Sequence, residues 1–220
     1  MMQIKVSNVA LGYENKAIVK DISFEINKGD YIAIIGENGS GKTTLIKTIL
    51  NLNKAISGDI IYNDISKKDI GYLPQKTDVQ NDFPASVFEV VLSGFEGKRF
   101  RFRYTKEEKE EAFLNLALVK ADELLDKSFL ELSGGQMQRV LMARALCASK
   151  KILFVDEPTS ALDHKGIEET YKLLDSLNKN LGMTIVMISH DLNSVLKYAN
   201  KILSFDNGFK VEVIKWFYHF

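Results

Sequence analysis

The chain has 220 residues, 45% of them hydrophobic and 26% charged, which is enough apolar content to bury a sizeable core and excludes disordered and fibrous classes. Its 29 basic and 29 acidic residues cancel, so no global field draws it to nucleic acid or to an anionic membrane surface, and one cysteine, Cys147, cannot form an internal disulfide. The apolar stretches at 31–35 and 152–155 are far shorter than the roughly 20 residues a spanning helix needs. The N-terminal Met-Met-Gln-Ile-Lys-Val has no secretory pattern, which predicts a chain that stays in the cytosol.

Along the chain, Ile4 and Val6, then Ile18, Ile22, Phe24 and Ile26, alternate with polar residues, the period of half-buried antiparallel strands. Asn27-Lys28-Gly29-Asp30 turns the chain into a continuous apolar run at 31–35, suited to a strand buried on both faces, and a glycine-rich loop and a helical run over 42–50 follow. From about 105 to 127 the composition shifts to Glu, Lys, Ala and Leu at helical spacing, predicting a helical insert over 76–149. Residues 152–155 and 184–188 read as two more buried strands with a helix over 167–179 between them, an alternation that implies a parallel sheet. Residues 202–205 and 210–214 flank Asp206-Asn207-Gly208, a hairpin signal. The expected fold is therefore α/β, with a mostly parallel sheet, an antiparallel β portion at the N-terminus and an inserted helical subdomain. It forms one domain, divided into a core of 1–75 plus 150–220 and a helical subdomain of 76–149.

Gly36-Glu37-Asn38-Gly39-Ser40-Gly41-Lys42-Thr43 fits G-x-x-x-x-G-K-[ST], and it lies between a buried strand and a helix, the context that motif requires. The glycines let backbone N–H groups curl around phosphate oxygens, and the helix N-terminus adds a positive partial charge at the same place. Lys42 then reaches the β and γ phosphates of a nucleotide, and the Thr43 hydroxyl, followed by Thr44, offers a ligand to Mg²⁺. Further on, the apolar run 152–155 ends in Asp156-Glu157, and in open α/β sheets ligands gather at the carboxyl ends of strands. Asp156 suits the metal and Glu157 the polarisation of an attacking water.

Leu132-Ser133-Gly134-Gly135-Gln136 resembles the signature of ABC ATPases, a five-residue match that arises by chance in roughly one chain in several thousand. A serine hydroxyl and glycine N–H groups opening a helix make an anion-binding cap. The resemblance runs along nearly the whole chain, with the motifs in the family's order, and implies the P-loop NTPase fold. It implies that the cap closes on the γ-phosphate of ATP held by a second copy of the chain, head to tail. It also implies that Tyr13 stacks on adenine and that Gln75, in Tyr-Leu-Pro-Gln, senses Mg²⁺ and water. By the same resemblance Ser160-Ala-Leu-Asp163 crosses between subunits, and His190 contacts the γ-phosphate. Read without the family, Tyr13 is equally a strand-edge tyrosine.

The resemblance further implies an ATP-hydrolysing subunit with ATP and Mg²⁺ as cofactors. It implies a subunit peripheral on the inner face of the cell membrane, partnered by integral membrane permease subunits and an extracytoplasmic substrate-binding protein. Residues 82–94, from Asp82 through Phe83-Pro84 to Gly94, look like the same region in zinc and manganese importers and, less closely, in iron-chelate importers. The alternating Lys98-Arg99-Phe100-Arg101-Phe102-Arg103 reads as a solvated loop rather than a nucleic-acid contact. The aromatic tail 216–220 departs from the family and reads either as a docking segment or as an altered terminus. A non-transport ABC ATPase acting with a nucleic-acid or ribosome partner is the alternative, disfavoured because long coiled coils and a second cassette are missing. A nucleotide-binding regulator without turnover is disfavoured by Glu157 and His190.

Overall fold

The computed structural model describes residues 1–13, 16–75, 85–95, 103–160, 162–206 and 208–214, with Tyr13 and Lys67 described by their backbone alone. The chain divides into two compact units, one of residues 1–67 and 174–220 and the other of 68–173.

In the first unit, β1 (Met2–Tyr13) is the centre of an antiparallel sheet between β2 (Lys16–Asn27) and β4 (Ser57–Tyr62). Alternation buries Ile4, Val6, Val9 and Leu11 on β1 and Ile22, Phe24 and Ile26 on β2, each contributing about 1.5–3 kcal/mol, whereas Ile18, expected in the same alternating set, is 48% exposed. Asn8 and Asp21 adopt left-handed backbone where the β1–β2 register shifts, and the Asn8 N–H donates to Ser23 Oγ at 2.9 Å. The second sheet of this unit runs β7-β3-β8-β9, with β3 (Tyr31–Ile35) parallel to β7 (Thr184–Ile188) and to β8 (Lys201–Ser204), while β9 (Lys210–Val213) returns antiparallel. The turn into β3 is held by Asp30, whose carboxylate accepts from the Asn27 N–H at 2.8 Å and from Lys201 Nζ at 2.7 Å in a largely buried ion pair. After β3 come α1 (Lys42–Ile49) and, late in the chain, α6 (Leu192–Tyr198).

The second unit pairs β5 (Ile70–Leu73) in parallel with β6 (Ile152–Asp156) and is otherwise helical: α2 (Val87–Leu92), α3 (Lys106–Leu118) and α4 (Gly134–Ala148). Each of these helices opens with a reciprocal capping box, Ser86 with Glu89, Thr105 with Glu108 and Ser133 with Gln136, all visible as [ST]-x-x-[EQ] in the sequence. Gly71 on β5 lets α4 approach, because a Cβ there would stand 2.3 Å from the Ala145 carbonyl oxygen. Helix α5 (His164–Leu181) crosses from one unit into the other.

The helix expected through 127 stops at Leu118. Lys120 takes a left-handed φ of 56°, and the N–H groups of Lys120 and Ala121 turn back onto the Ala117 and Leu116 carbonyls, a helix stop that the sequence hides because a lysine stands where glycine usually does. The strands β4 and β5 and the helix α6 are additions to the sequence reading, and α5 starts three residues earlier than expected. Residues 82–84, 98–102 and the tail 216–220 lie outside the described residues.

Candidate functional site

Strand β3 delivers the phosphate-loop residues. Gly36, Gly39 and Gly41 have φ of 143°, 80° and 104°, values that side chains rarely tolerate, and Gly41 in that conformation caps α1. A Cβ on Gly36 would also meet Phe205 Cβ at 2.9 Å and Ser40 Oγ at 3.1 Å. Lys42 is only 5% exposed and its ammonium donates to the carbonyls of Gly36 and Glu37, both at 2.8 Å, so the charge is fixed inside the curve of the loop. Thr43 and the buried Thr44 follow on the first turn of α1, while Glu37, Asn38 and Gly39 face solvent.

Because β7 and β8 run parallel to β3 on either side, the residues after all three strands emerge at the same end of the sheet. His190 follows β7 through the buried Ser189, is solvent-exposed and precedes Asp191, the N-cap of α6. Asp206 follows β8, and its carboxylate accepts from the Glu37 N–H at 3.2 Å. Tyr13 ends β1 opposite Lys16, but its side chain lies outside the described portion.

In the second unit the register Leu73↔Val155 brings the ends of β5 and β6 together. Gln75 Nε2 donates to Glu157 Oε2 at 2.5 Å, so two residues 82 apart in sequence share one hydrogen bond. Asp156 is fully buried. Burial, and next the Asp156 charge and the hydrogen bond to its carboxylate, push the Tyr72 phenol far above its ordinary range, so Tyr72 stays neutral and donates. Glu157 holds a left-handed φ of 49°. At the start of α4, Ser133 Oγ accepts from the Gln136 N–H at 3.4 Å and the Ser133 N–H donates to Gln136 Oε1 at 2.9 Å, leaving Ser133 and Gly134 exposed and Gly135 half-buried. Asp163 Oδ1 accepts from the Gly166 N–H at 2.9 Å at the head of α5; of the Ser160-Ala-Leu-Asp163 loop, Ala161 lies outside the described residues. Among the described residues no group of three or more His, Cys, Asp or Glu side chains is placed to hold a metal ion, and no helix is long and apolar enough to cross a membrane.

The ABC transporter family profile matches residues 19–160, well over half of the chain. The chain belongs to the ABC transporter family. Relatives of this ABC cassette include the zinc uptake system ATP-binding protein ZurA of Listeria innocua, 37% identical over 91% of this chain and 81% of the relative. Another is the manganese transport system ATP-binding protein MntB of Bacillus subtilis, 40% identical over 92% of this chain and 83% of the relative. Among solved structures, one described as a metal-chelate type ABC transporter in an inward-facing conformation matches with a TM-score of 0.87 at 32% identity, covering 97% of this chain and 84% of that one. The dimeric, post-hydrolysis ATP-binding cassette MJ0796 bound to ADP and Pi matches with a TM-score of 0.80 at 28% identity, covering 97% of this chain and 100% of that one. The protein is thus an ABC ATPase that binds adenine nucleotide, on the P-loop NTPase fold expected from the sequence.

Three side chains beside the expected site residues escaped the sequence reading: Tyr72 on Asp156 and Gln138 on the Pro158 carbonyl at 3.1 Å in the second unit, and Asp206 on the phosphate loop in the first. Only Tyr72 had a signal. A carboxylate at the end of a fully buried strand needs a donor, and the neighbouring parallel strand is where one is found.

Proposed function

We propose that this cassette hydrolyses ATP at two composite sites in a head-to-tail pair of copies and so powers zinc or manganese import through separate membrane-spanning permease subunits. The observation that carries the hydrolytic part is the hydrogen bond between Gln75 and Glu157, which holds a carboxylate at the strand end beside buried Asp156. In this reading residues 36–44 wrap the phosphates, Tyr13 stacks on adenine, and Lys42 neutralises charge on the β and γ oxygens. Glu157 takes a proton from water as the water oxygen bonds to the γ-phosphorus. The bond from that phosphorus to the β–γ bridging oxygen breaks, and ADP and inorganic phosphate leave. His190 steadies the γ-phosphate.

The hydroxyl of Thr43, the side-chain oxygen of Gln75 and the buried carboxylate of Asp156 are hard oxygen donors of the kind Mg²⁺ takes alongside phosphates. Bound there, Mg²⁺ would supply charge neutralisation to the phosphates. Ser133, Gly134, Gly135 and Gln136 close on the γ-phosphate of the partner's ATP, with Asp163 in the loop that crosses to it. In this reading residues 1–75 and 150–220 form the nucleotide-binding core and 76–149 the helical subdomain that meets the permease. The cassette lies on the inner face of the cell membrane and works with an extracytoplasmic substrate-binding protein.

The identities of 37% and 40% to zinc and manganese cassettes support the choice of cargo. The test is growth of cells lacking this gene under zinc or manganese depletion. Poor growth that recovers when the ion is restored is expected. Normal growth under both depletions, in a genome without a redundant importer, refutes the cargo.

A further inference from the structure

Glu157 occupies a left-handed backbone conformation, φ 49°, that a residue other than glycine keeps only where its surroundings hold it. Its carboxylate is held by Gln75, and its carbonyl accepts from the Ser160 N–H at 3.3 Å. The next residue, buried Pro158, has no N–H, so its carbonyl is its one backbone hydrogen-bonding group, and Gln138 Nε2 donates to it at 3.1 Å. Proline fixes φ, so the peptide plane between 157 and 158, whose carbonyl the Ser160 N–H holds, can turn against the pinned Pro158 carbonyl only through ψ of Pro158. That plane sets the direction in which the Glu157 side chain leaves the backbone.

Gln138 belongs to α4, whose first turn carries the Ser133 cap, so a little over one turn of helix connects the cap to this hydrogen bond. A second contact runs along the same seam, where a Cβ on Gly135 would stand 3.4 Å from Leu162 Cδ2. Ser133, Gln136, Gln138, Leu162 and Asp163 line one cavity of about 510 Å³.

We propose that Gln138 is a positioning residue that ties the signature helix to the backbone of the general base, so that closure of the cap on one nucleotide aims Glu157 at the other. The proposal rests on the head-to-tail reading above, in which cap and base of one chain serve different ATP molecules. The seam is then a direct physical link between the two sites. It consists of one helix turn, one hydrogen bond and one peptide plane, all within residues 133–158.

The test replaces Gln138 with Leu, which keeps the stem and loses the donor, and with Lys, which restores a donor. Gln138→Leu is expected to lower kcat about five-fold, the loss of one neutral hydrogen bond, with KM for ATP unchanged, and Gln138→Lys to recover most of it. Combined with Ser133→Ala, Gln138→Leu should cost less than the product of the single losses, because both changes interrupt one link. A kcat within about two-fold of the parent, a matching change in KM, or losses that simply multiply would overturn the proposal. Should Gln138→Leu fail to fold, Gln138→Glu, which keeps size and polarity without the donor, carries the same expectations. Dimer formation of Glu157→Gln with ATP separates the two levels. If that protein stays monomeric, the head-to-tail reading fails and this inference with it; if it dimerises while the Gln138 variants are silent, this inference alone fails.

Discussion

Replacing Gln75 tests the contact that holds Glu157, the proposed general base. Its amide donates to the Glu157 carboxylate at 2.5 Å, and hydrogen bonds to a charged partner are worth about 1.5–3 kcal/mol. Gln75 is solvent-exposed, so water replaces part of that loss and the lower end applies. Gln75→Ala should therefore lower kcat roughly ten-fold, since about 1.4 kcal/mol is a factor of ten. Gln75→Glu should be worse. It sets a second carboxylate against Glu157, and two like charges about 4 Å apart repel by about 1 kcal/mol in water and about 4 kcal/mol at a protein surface. Phosphate release at saturating ATP and Mg²⁺, with thermal unfolding to confirm a folded protein, measures both variants. A Gln75→Ala protein within about two-fold of the parent, or a Gln75→Glu protein more active than Gln75→Ala, refutes the aiming role.

Lys42→Ala removes the cation that the loop carbonyls hold and should abolish hydrolysis in protein freed of contaminating ATPases while the fold survives; near-parental turnover would remove Lys42 from the mechanism. Tyr72→Phe takes a donor from a buried carboxylate and should cost about 1–3 kcal/mol, read as a fall in Tm of several degrees and a weaker apparent affinity for Mg²⁺; an unchanged Tm would mean that Asp156 does not depend on it. Gly71→Ala drives a methyl group into the Ala145 carbonyl and should destabilise by about 1–3 kcal/mol in denaturant unfolding, whereas a neutral result would show that α4 yields there. The Ser86 N–H, and next its hydroxyl, hold the Glu89 carboxyl below its ordinary value, so its contribution is present at neutral pH and lost as pH falls through that lowered value. Amide exchange over 86–92 should rise in acid, and Glu89→Gln should remove that dependence.

The parts of this fold legible in the sequence are those written in local chemistry. Alternation at Ile22, Phe24 and Ile26 placed β2, the glycines around Lys42 placed the loop at the end of β3, and Ser133 with its two glycines marked the opening of α4. The end of α3 stayed hidden because Lys120 accepts a left-handed conformation without a glycine to announce it. Strand β4, Ser57–Tyr62, escaped because its side chains are mostly exposed and show no apolar period. In the site, the types of residue were readable but their partnerships were not. Nothing local links Gln138 to Pro158, or Tyr72 to Asp156, since those contacts exist only once β5, β6 and α4 have packed.

The central claim is that one chain's phosphate loop and another chain's signature share an ATP. Glu157→Gln keeps the nucleotide contacts and removes the base, so ATP should drive this protein into a stable dimer, while Ser133→Arg added to it sets a bulky cation where the cap must close and should leave ATP-bound monomers. Size-exclusion chromatography with saturating ATP reads both. A dimer for Glu157→Gln and a monomer for the double variant is the predicted result; a monomeric Glu157→Gln protein, or a double variant that dimerises equally well, contradicts the shared site.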